Sequence, residues 1–489
     1  MRLVVAERCV LTLFAAYACL GVAGSCWLLM HGTVPDWLLP VAIAIGLAAA
    51  CLHRPAPLAP SAATPRWQTI LIVLALAGLV TIMAYGALAT ESRHWDGVVA
   101  WDLKAKALAV EPTLEQPFFR DAAVYSHSRD YPLLQPLALA LAERWGLPGR
   151  LLFPAAYLSI LIAVAAAARR AGCSNRSALL FGLACGVTPM FIAPASGGFD
   201  SGYADGMLAA SLAAVALGVT SRAPVFVAIG TLVMVMQKPE GLPYAGILAA
   251  AFWLGRDTVM LRASAIAGAA GGAIVLALQH DLHSFGHPTQ IGPTFLVVFA
   301  SAAVALGLDL ALRRFGTSWR WRAGSLLVAA PLAFVSLALA NGGDGVVGTH
   351  LANVDQVGDR LERLPRVLLF MLHWTLGSGR FALTFWLPVV IGFAQWRCSG
   401  TVAPALRTWF LLAVPVCCAP FLLAPIEDLE HHLRSTMPRL LLHWCGVMWI
   451  WSGVQPRPVN MPHVSESFSR DERALVAGQP RQPRAEARG

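Results

Sequence analysis

Apolar runs of about 18 to 22 residues alternate with short polar segments along most of the chain. A helix needs about 20 apolar residues to cross the hydrocarbon core of a bilayer. The pattern therefore predicts an all-α polytopic membrane protein with about 12 to 14 transmembrane helices. The segments that we assign as spans are 9–30, 37–52, 68–89, 151–169, 177–194, 203–220, 223–237, 242–254, 259–279, 291–311, 323–341, 381–396, 405–424 and 437–452.

The composition excludes most other classes of protein. Hydrophobic residues make up 57% of the 489 residues and charged residues 13%, whereas a soluble domain is about 25% charged. So few charges leave too little polar surface for soluble domains, which excludes a soluble enzyme. The ten cysteines show no CxxC pair and no zinc-ligand spacing, so we interpret them as small apolar residues in helices.

The basic residues predict the orientation of the chain. Lys and Arg concentrate in alternate loops, most clearly at Arg169, Arg170 and Arg176, and cytoplasmic loops are enriched in these residue types. This places both termini in the cytoplasm, with a transmembrane domain over 1–452 and a disordered basic tail over 453–489. The basic residues in the cytoplasmic loops account for the formal net charge of +9, so we expect no nucleic-acid partner.

Two long segments, 90–150 and 342–380, lie on the outer face in this topology. Residues 132–146 have a helical pattern, but they are few and contain two prolines, and counting them as a span would reverse every later loop. We assign them to a juxtamembrane helix that lies on, or dips into, the outer surface, and we assign 364–377 in the same way. Any chemistry must then take place at the outer surface.

A Trp-Asp pair stands near the start of the first outer segment. Asp96 follows a predicted span by a few residues, so its carboxylate is partly desolvated and can act as a base near neutral pH. The alternative is that Asp96 caps a helix that begins at Gly97. Asp102 lies further along, four residues before Lys106, a spacing that also suits a surface ion pair.

Lysine is rare in this chain. Only three of the 36 basic residues are lysines, and Lys104, Lys106 and Lys238 all fall in outer segments. A compact ammonium suits some phosphate sites better than a planar guanidinium does; the alternative is that an arginine-rich composition left three lysines there by chance. Lys238 and Glu240 interrupt an apolar stretch and are predicted to form an ion pair.

Two further outer clusters contain charged residues near helix ends. Asp200 and Asp205 stand at a predicted helix start, and capping accounts more easily for one of them than for both. Arg439 and His443 lie one turn apart at the membrane interface or below it, where polar residues are costly and commonly functional. Snorkelling of Arg439 towards water is the alternative.

Taken in order, these clusters resemble the motifs of membrane-embedded glycosyltransferases of the GT-C class, which use lipid-phosphate-linked sugars. That class includes the protein O-mannosyltransferases and the bacterial aminoarabinose transferases of lipid A. The resemblance covers about residues 68–452, and Pro239, His431 and His443 depart from it, where Asn, Trp and Gln are expected. The matching residues are Trp95, Asp96, Trp101, Leu103–Lys106, Asp130–Leu134, Pro136, Gly202–Asp205, Lys238, Glu240, Gly241, His432, Leu433, Ser435 and Arg439–Leu442.

The resemblance implies a GT-C-like bundle in the bacterial inner membrane, with a long first periplasmic loop that carries juxtamembrane helices. It implies inverting transfer of a sugar from a polyprenyl-phosphate donor to a periplasmic glycan, lipid or protein. Asp96 matches the general base, and Asp102 is the second catalytic candidate in the same loop.

The developing charge on the phosphate needs cations. The candidates for that role are Lys238, Arg439, Arg434 and Lys104. The candidates for substrate binding are Asp130, Tyr131, Asp205, Glu240, His432 and His443.

Membrane lipids surround a site of this kind. We assign no cofactor to it, and a divalent cation would be compatible with it. Two other functions stay open. A transporter or flippase of lipid-linked sugars would show internal repeats and charges near the midplane of several helices, whereas here the charges crowd one face. A catalytically inactive GT-C-like scaffold would keep the motifs without turnover.

Overall fold

Helices make up about 85% of the structure. The computed structural model describes residues 3–55, 58, 65–89, 95–121, 124, 131–192, 198–199, 202–254, 259–283, 307, 356–394, 403–423 and 429–454. Within these ranges there is no β-strand, and Thr33 and Thr113 form an isolated antiparallel bridge. The predicted all-α fold class is confirmed for this part of the chain.

The α-helices range from 4 to 29 residues in length over the described part of the chain. Those before residue 284 are α1 (Leu3–His31), α2 (Leu38–Leu52), α3 (Arg66–Ala89), α4 (Leu103–Val110), α5 (Pro117–Arg120), α6 (Leu134–Arg144), α7 (Leu152–Arg170), α8 (Asn175–Gly186), α9 (Pro189–Ile192), α10 (Asp205–Ser221), α11 (Pro224–Gln237), α12 (Gly241–Leu254) and α13 (Val259–His283). The later described helices are α14 (Val357–Arg360), α15 (Leu364–Leu372), α16 (Leu383–Ala394), α17 (Ala403–Leu423) and α18 (Leu429–Gly453). Short π-helical turns cover Gly97–Asp102 and His373–Gly377.

Length and composition identify the chain as a helical membrane protein. Among the described residues, four stretches are long and apolar enough to cross a bilayer, namely Val5–His31, Arg66–Ala89, Gly149–Arg170 and Pro404–Leu423. Six shorter apolar helices accompany them: Leu38–Leu52, Asp205–Ser221, Pro224–Gln237, Gly241–Trp253, Met260–Leu276 and Leu383–Ala394. On α3, large apolar side chains such as Leu74 and Ile70 are exposed, as expected of a helix that faces lipid chains. The number of passes and the compartment at each end stay predictions.

Helix α10 forms the centre of the bundle. It packs against α7, α11 and α18, and every residue from Asp205 to Val219 is buried. Small residues allow this close approach, since a Cβ atom added at Gly446 of α18 would lie 3.0 Å from the Cβ atom of Ala213. Tight packing along these helices fixes the positions of their ends.

One end of the bundle is marked by a buried ion pair. Arg170, at the end of α7, places its Nη2 atom 2.6 Å from Oε2 of Glu7, near the start of α1. Arg8 donates a hydrogen bond to the carbonyl oxygen of His53, just after α2, over 3.2 Å, and the His53 ring packs against Phe226 near the start of α11. We call this the Glu7 end.

The opposite end, which we call the Asp36 end, holds the last residues of α6, whereas its first residues lie beside the middle of α1, where a Cβ atom added at Gly21 would approach Leu134. Arg144, the last residue of α6, forms an ion pair with Asp36, which lies between α1 and α2. Gln135, near the start of α6, donates a hydrogen bond to the carbonyl oxygen of Gly202, just ahead of α10, over 2.9 Å. Helix α6 therefore does not run from one end of the bundle to the other, in keeping with the assignment of 132–146 as a helix that is not a span.

Two predicted boundaries are wrong. The span predicted at 177–194 is divided into α8 and α9, because the residue before a proline, here Thr188 before Pro189, is disfavoured in the helical conformation. The outer loop predicted at 425–437 is already helical from Leu429, and α18 continues through Pro438. Charged residues form helices as readily as apolar ones, so the change from polar to apolar sequence did not mark the start of this helix.

Some sequence predictions lie outside the described residues. They are the spans 291–311 and 323–341, the first part of the segment 342–380, the residues Asp130 and Asp200, and the tail from 455 onward. The described residues up to Val454 belong to one compact unit, Met1–Gln455.

Candidate functional site

Four segments that are far apart in the sequence meet at the Asp36 end. They contribute Asp96, Asp205, Lys238 with Glu240, and Arg439 with His443, and we call these six residues the charge cluster. Asp205 opens α10 and Lys238 directly follows α11. A carboxylate is favourable at a helix N-terminus and a cation at a C-terminus, so this pair of antiparallel helices brings suitable charges together.

Asp205 is the centre of the charge cluster and is fully buried. Its Oδ1 atom accepts from Lys238 Nζ at 2.9 Å and from His443 Nε2 at 2.8 Å. Its Oδ2 atom accepts from Nε of Arg439 at 3.1 Å, with Nη2 also at 3.1 Å. With both oxygens occupied and no exposed surface, Asp205 positions the cations around it.

Arg439 joins two carboxylates that come from different parts of the chain. Its Nη1 atom donates to Oδ2 of Asp96 over 2.7 Å, while its Nε–Nη2 edge faces Asp205. The guanidinium also lies over the ring of Tyr203, with Cζ 4.4 Å from the ring centroid, a favourable cation–π geometry. Only 11% of the Arg439 side chain is exposed, so the snorkelling alternative does not fit the structure.

Asp96 is the most exposed carboxylate of the charge cluster, with 37% of its side chain accessible. Its backbone is already helical, with φ −63° and ψ −37°, and its side chain makes no capping hydrogen bond to a described backbone N–H group. The helix-capping alternative for Asp96 is therefore wrong. The carboxylate instead combines an exposed surface with a direct contact to Arg439.

Lys238 and Glu240 form the predicted ion pair, with Nζ and Oε1 3.0 Å apart. Lys238 is buried, so it neutralises Asp205 and Glu240 rather than presenting a free ammonium. Burial is the largest single effect on the pKa of the Glu240 carboxyl and raises it, but the Lys238 ammonium and smaller favourable contacts together outweigh burial, so the net pKa shift is downward. The Oε2 atom of Glu240 is buried without a hydrogen-bond partner among the described residues.

His443 extends the charge cluster into the bundle. Because an ionised carboxylate only accepts hydrogen bonds, the bond to Asp205 assigns the His443 proton to Nε2. The Tyr244 hydroxyl then donates to Nδ1 over 3.1 Å. Trp409 Nε1 donates to the Tyr244 carbonyl oxygen over 3.0 Å. These hydrogen bonds connect α12 and α17 to α18. Sequence analysis had not singled out Tyr244, which lies inside an apolar run.

A second set of buried polar contacts supports the turn before α10. The Tyr17 hydroxyl donates to Oε1 of Gln237 over 2.8 Å, and Gln237 Nε2 donates to Oε1 of Gln135 over 2.9 Å. Gln135 in turn donates to the Gly202 carbonyl oxygen. Sequence analysis missed this chain of contacts, although glutamines within apolar runs are a signal that could have found it.

The remaining candidate residues make other contacts, and of these Tyr131 also acts electrostatically on Arg439. Lys104 is fully buried and donates from Nζ to the Tyr131 carbonyl oxygen over 2.9 Å. The Tyr131 ring packs edge-on against Trp101, with ring centroids 5.4 Å apart. Lys104 therefore organises the first outer segment, and its ammonium is not exposed to a phosphate in this conformation.

Arg434 and His432 lie on the first turns of α18, and Asp102 lies on the helical segment that follows Asp96. Arg434 is exposed and forms an ion pair with Glu430. His432 packs its ring against Phe421, with centroids 5.2 Å apart. Asp102 acts electrostatically on Glu143. The ion pairs of the charge cluster join six of the predicted residues, namely Asp96, Asp205, Lys238, Glu240, Arg439 and His443.

The charge cluster offers chemistry at its exposed side. Asp96 can take a proton, and the guanidinium of Arg439 beside it can bind an anion. Among the described residues, no group of three or more His, Cys, Asp or Glu side chains is arranged to hold a metal ion. No protein-family model, curated protein or solved structure matches the chain, so the function is inferred from the sequence motifs and this geometry.

Proposed function

We propose that the protein is a membrane glycosyltransferase that moves a sugar from a polyprenyl phosphate to a glycan, lipid or protein acceptor on the outer face of the bacterial inner membrane. The observation that carries the proposal is the contact between Asp96 and Arg439, residues that belong to the first and last of the motifs shared with the GT-C class. A proton acceptor and an anion-binding group are the two elements that a single inverting displacement requires.

In the proposed reaction, Asp96 takes the proton from an acceptor hydroxyl or amine. The acceptor atom then forms a bond to the anomeric carbon of the sugar, on the face opposite the phosphate. The bond between that carbon and the phosphate oxygen breaks, and its electron pair leaves with the polyprenyl phosphate. Arg439 stabilises the negative charge that develops on the leaving phosphate. The configuration of the anomeric carbon is inverted.

The structure changes the role that we propose for Lys238. Its ammonium is buried between Asp205 and Glu240, so we assign the direct phosphate contact to Arg439. Asp205 holds the guanidinium from behind, and Lys238 and His443 in turn hold Asp205. The charges form a single cluster where α10 begins and α11 ends, which favours an enzyme over a transporter whose charged residues are spread over several helices.

The experiment that tests this function compares Asp96→Asn with the wild type in nanodiscs, using polyprenyl-phosphate sugars as donors. Loss of a general base reduces turnover by about a hundredfold to ten-thousandfold. Asp102→Asn is the matched control, because it removes a carboxylate from the same segment while the ion pair between Asp96 and Arg439 stays in place, and we expect a milder loss.

Three outcomes would contradict the proposal. Full activity of both variants would remove the catalytic role of this segment. Movement of lipid-linked sugar across proteoliposomes without any transfer would identify a flippase. A folded wild type that binds the donor and never turns over would identify an inactive scaffold.

A further inference from the structure

We propose that Asp96 and the phosphate of the donor compete for Arg439, so that donor binding releases the base from an ion pair that otherwise restrains it. This inference rests on the proposed function and concerns the regulation of the same site. It makes Arg439 a switch between two partners as well as a charge clamp.

Each cation of the charge cluster is already paired. Arg439 contacts Asp96 and Asp205, and Lys238 contacts Asp205 and Glu240. Three carboxylates thus surround two cations, and the neutral form of His443 adds no positive charge. A phosphate that enters this cluster must therefore displace a carboxylate.

Asp96 is the carboxylate that can be displaced. Asp205 is fully buried and holds three partners, and Glu240 is paired to the buried Lys238. Asp96 has the greatest exposure of the three, and its ion pair with Arg439 is formed with the Nη1 side of the guanidinium. An anion that arrives from the exposed side therefore meets this contact first.

Arg439 can change partners without leaving its place. Its Nε–Nη2 edge is held by Asp205, and its face lies on Tyr203. The Nη1 side can therefore exchange a carboxylate oxygen for a phosphate oxygen while the rest of the side chain stays anchored. Guanidinium groups bind both kinds of oxyanion with similar geometry.

The exchange would have a catalytic consequence. In the present conformation, Oδ2 of Asp96 accepts a hydrogen bond from Nη1 of Arg439. When the phosphate takes the Nη1 contact, this oxygen becomes available to accept the proton of the acceptor. The acceptor is then deprotonated only when a donor is bound, which predicts an ordered reaction with the donor first.

The test measures the binding of polyprenyl phosphate without sugar to the full-length protein in nanodiscs. Because Asp96→Asn removes the competitor, we expect that variant to bind about tenfold more tightly than the wild type. Arg439→Gln should lose most of the binding. Asp36→Asn is the matched control, since Asp36 also pairs with an arginine at the same end of the bundle, and its affinity should equal that of the wild type.

The outcomes separate this inference from the proposed function. Equal or weaker binding by Asp96→Asn, with normal binding by the wild type, would overturn the competition and leave the glycosyltransferase proposal standing. Absence of binding in the folded wild type and in every variant would overturn both, because the donor class would be wrong. If the asparagine variant does not fold, Asp96→Ala repeats the comparison. Competition by inorganic phosphate shows whether the phosphate group alone binds at Arg439.

Discussion

The Nζ atom of Lys238 lies 2.9 Å from Oδ1 of Asp205, and both side chains are buried. Removing one partner of such a pair leaves an uncompensated charge in the protein interior. The two residues are 33 positions apart and stand at adjacent ends of α10 and α11, so the pair joins these helices at the site.

Breaking this pair should destabilise the protein. We expect Lys238→Met to lower the free energy of unfolding by about 3 to 5 kcal/mol and to reduce the thermal unfolding midpoint, followed by tryptophan fluorescence in detergent. The double variant Lys238→Met with Asp205→Asn should recover part of this loss, because it removes both charges. Additive effects of the two substitutions would show that the pair is not coupled.

Arg439 should resist conservative replacement. We expect Arg439→Ala to reduce turnover by about tenfold to a thousandfold, the range for loss of a donor that stabilises a transition state. Arg439→Lys should restore little, because a single ammonium does not reproduce the fork that spans Asp96 and Asp205. Arg366→Ala is the control, since Arg366 forms an exposed ion pair with Glu430. If Arg439→Ala retained the turnover of this control, the charge clamp would be wrong.

The contacts of Gln135 should support both the fold and the activity. Gln135→Leu deprives the Gly202 carbonyl oxygen and the Gln237 amide of partners, which should cost about 1 to 3 kcal/mol and displace the turn before Asp205. Tyr17→Phe removes the hydroxyl at the other end of this series of hydrogen bonds. It should lower the free energy of unfolding by about 0.5 to 1.5 kcal/mol, with a smaller effect on turnover. Thermal unfolding and sugar transfer measured on both variants test this order, and a larger effect of Tyr17→Phe would contradict it.

Cysteine labelling tests which residues share a side of the membrane. On a cysteine-free background, Asp36→Cys and Glu115→Cys should react with a membrane-impermeant maleimide added from one side, and Arg176→Cys only from the other. The contacts at the Asp36 end and the Glu7 end require this separation, and the distribution of basic residues predicts that Arg176 faces the cytoplasm. Labelling of Arg176→Cys and Glu115→Cys from the same side would contradict the arrangement.

Sequence analysis could identify much of the charge cluster because polar residues near membrane spans are rare. Lys238 and Arg439 stand out against apolar neighbours, Asp96 closely follows an apolar span, and the order of the motifs suggested that they act together. Their helices could also be predicted, because length and hydropathy are properties of single segments.

The pairing within the cluster could not be predicted, because it depends on how helices pack. Nothing in the sequence indicates that Arg439 contacts both Asp96 and Asp205, or that Lys104 points into the protein rather than towards the surface. Burial of Asp205 on all sides follows from small residues on α7, α10 and α18, whose relative rotation is set by packing across the bundle.

The position of Asp205 and Lys238 on one helical hairpin also bears on how the chain enters the membrane during synthesis. Both residues leave the ribosome long before Arg439, so that arginine is not yet present to offset the charge of Asp205. They stand at the same end of α10 and α11, which faces outward in the predicted topology, so in that topology the two charges cross the bilayer together as a neutral pair. Insertion of this hairpin as a unit thereby avoids the cost of moving an isolated carboxylate or ammonium through hydrocarbon.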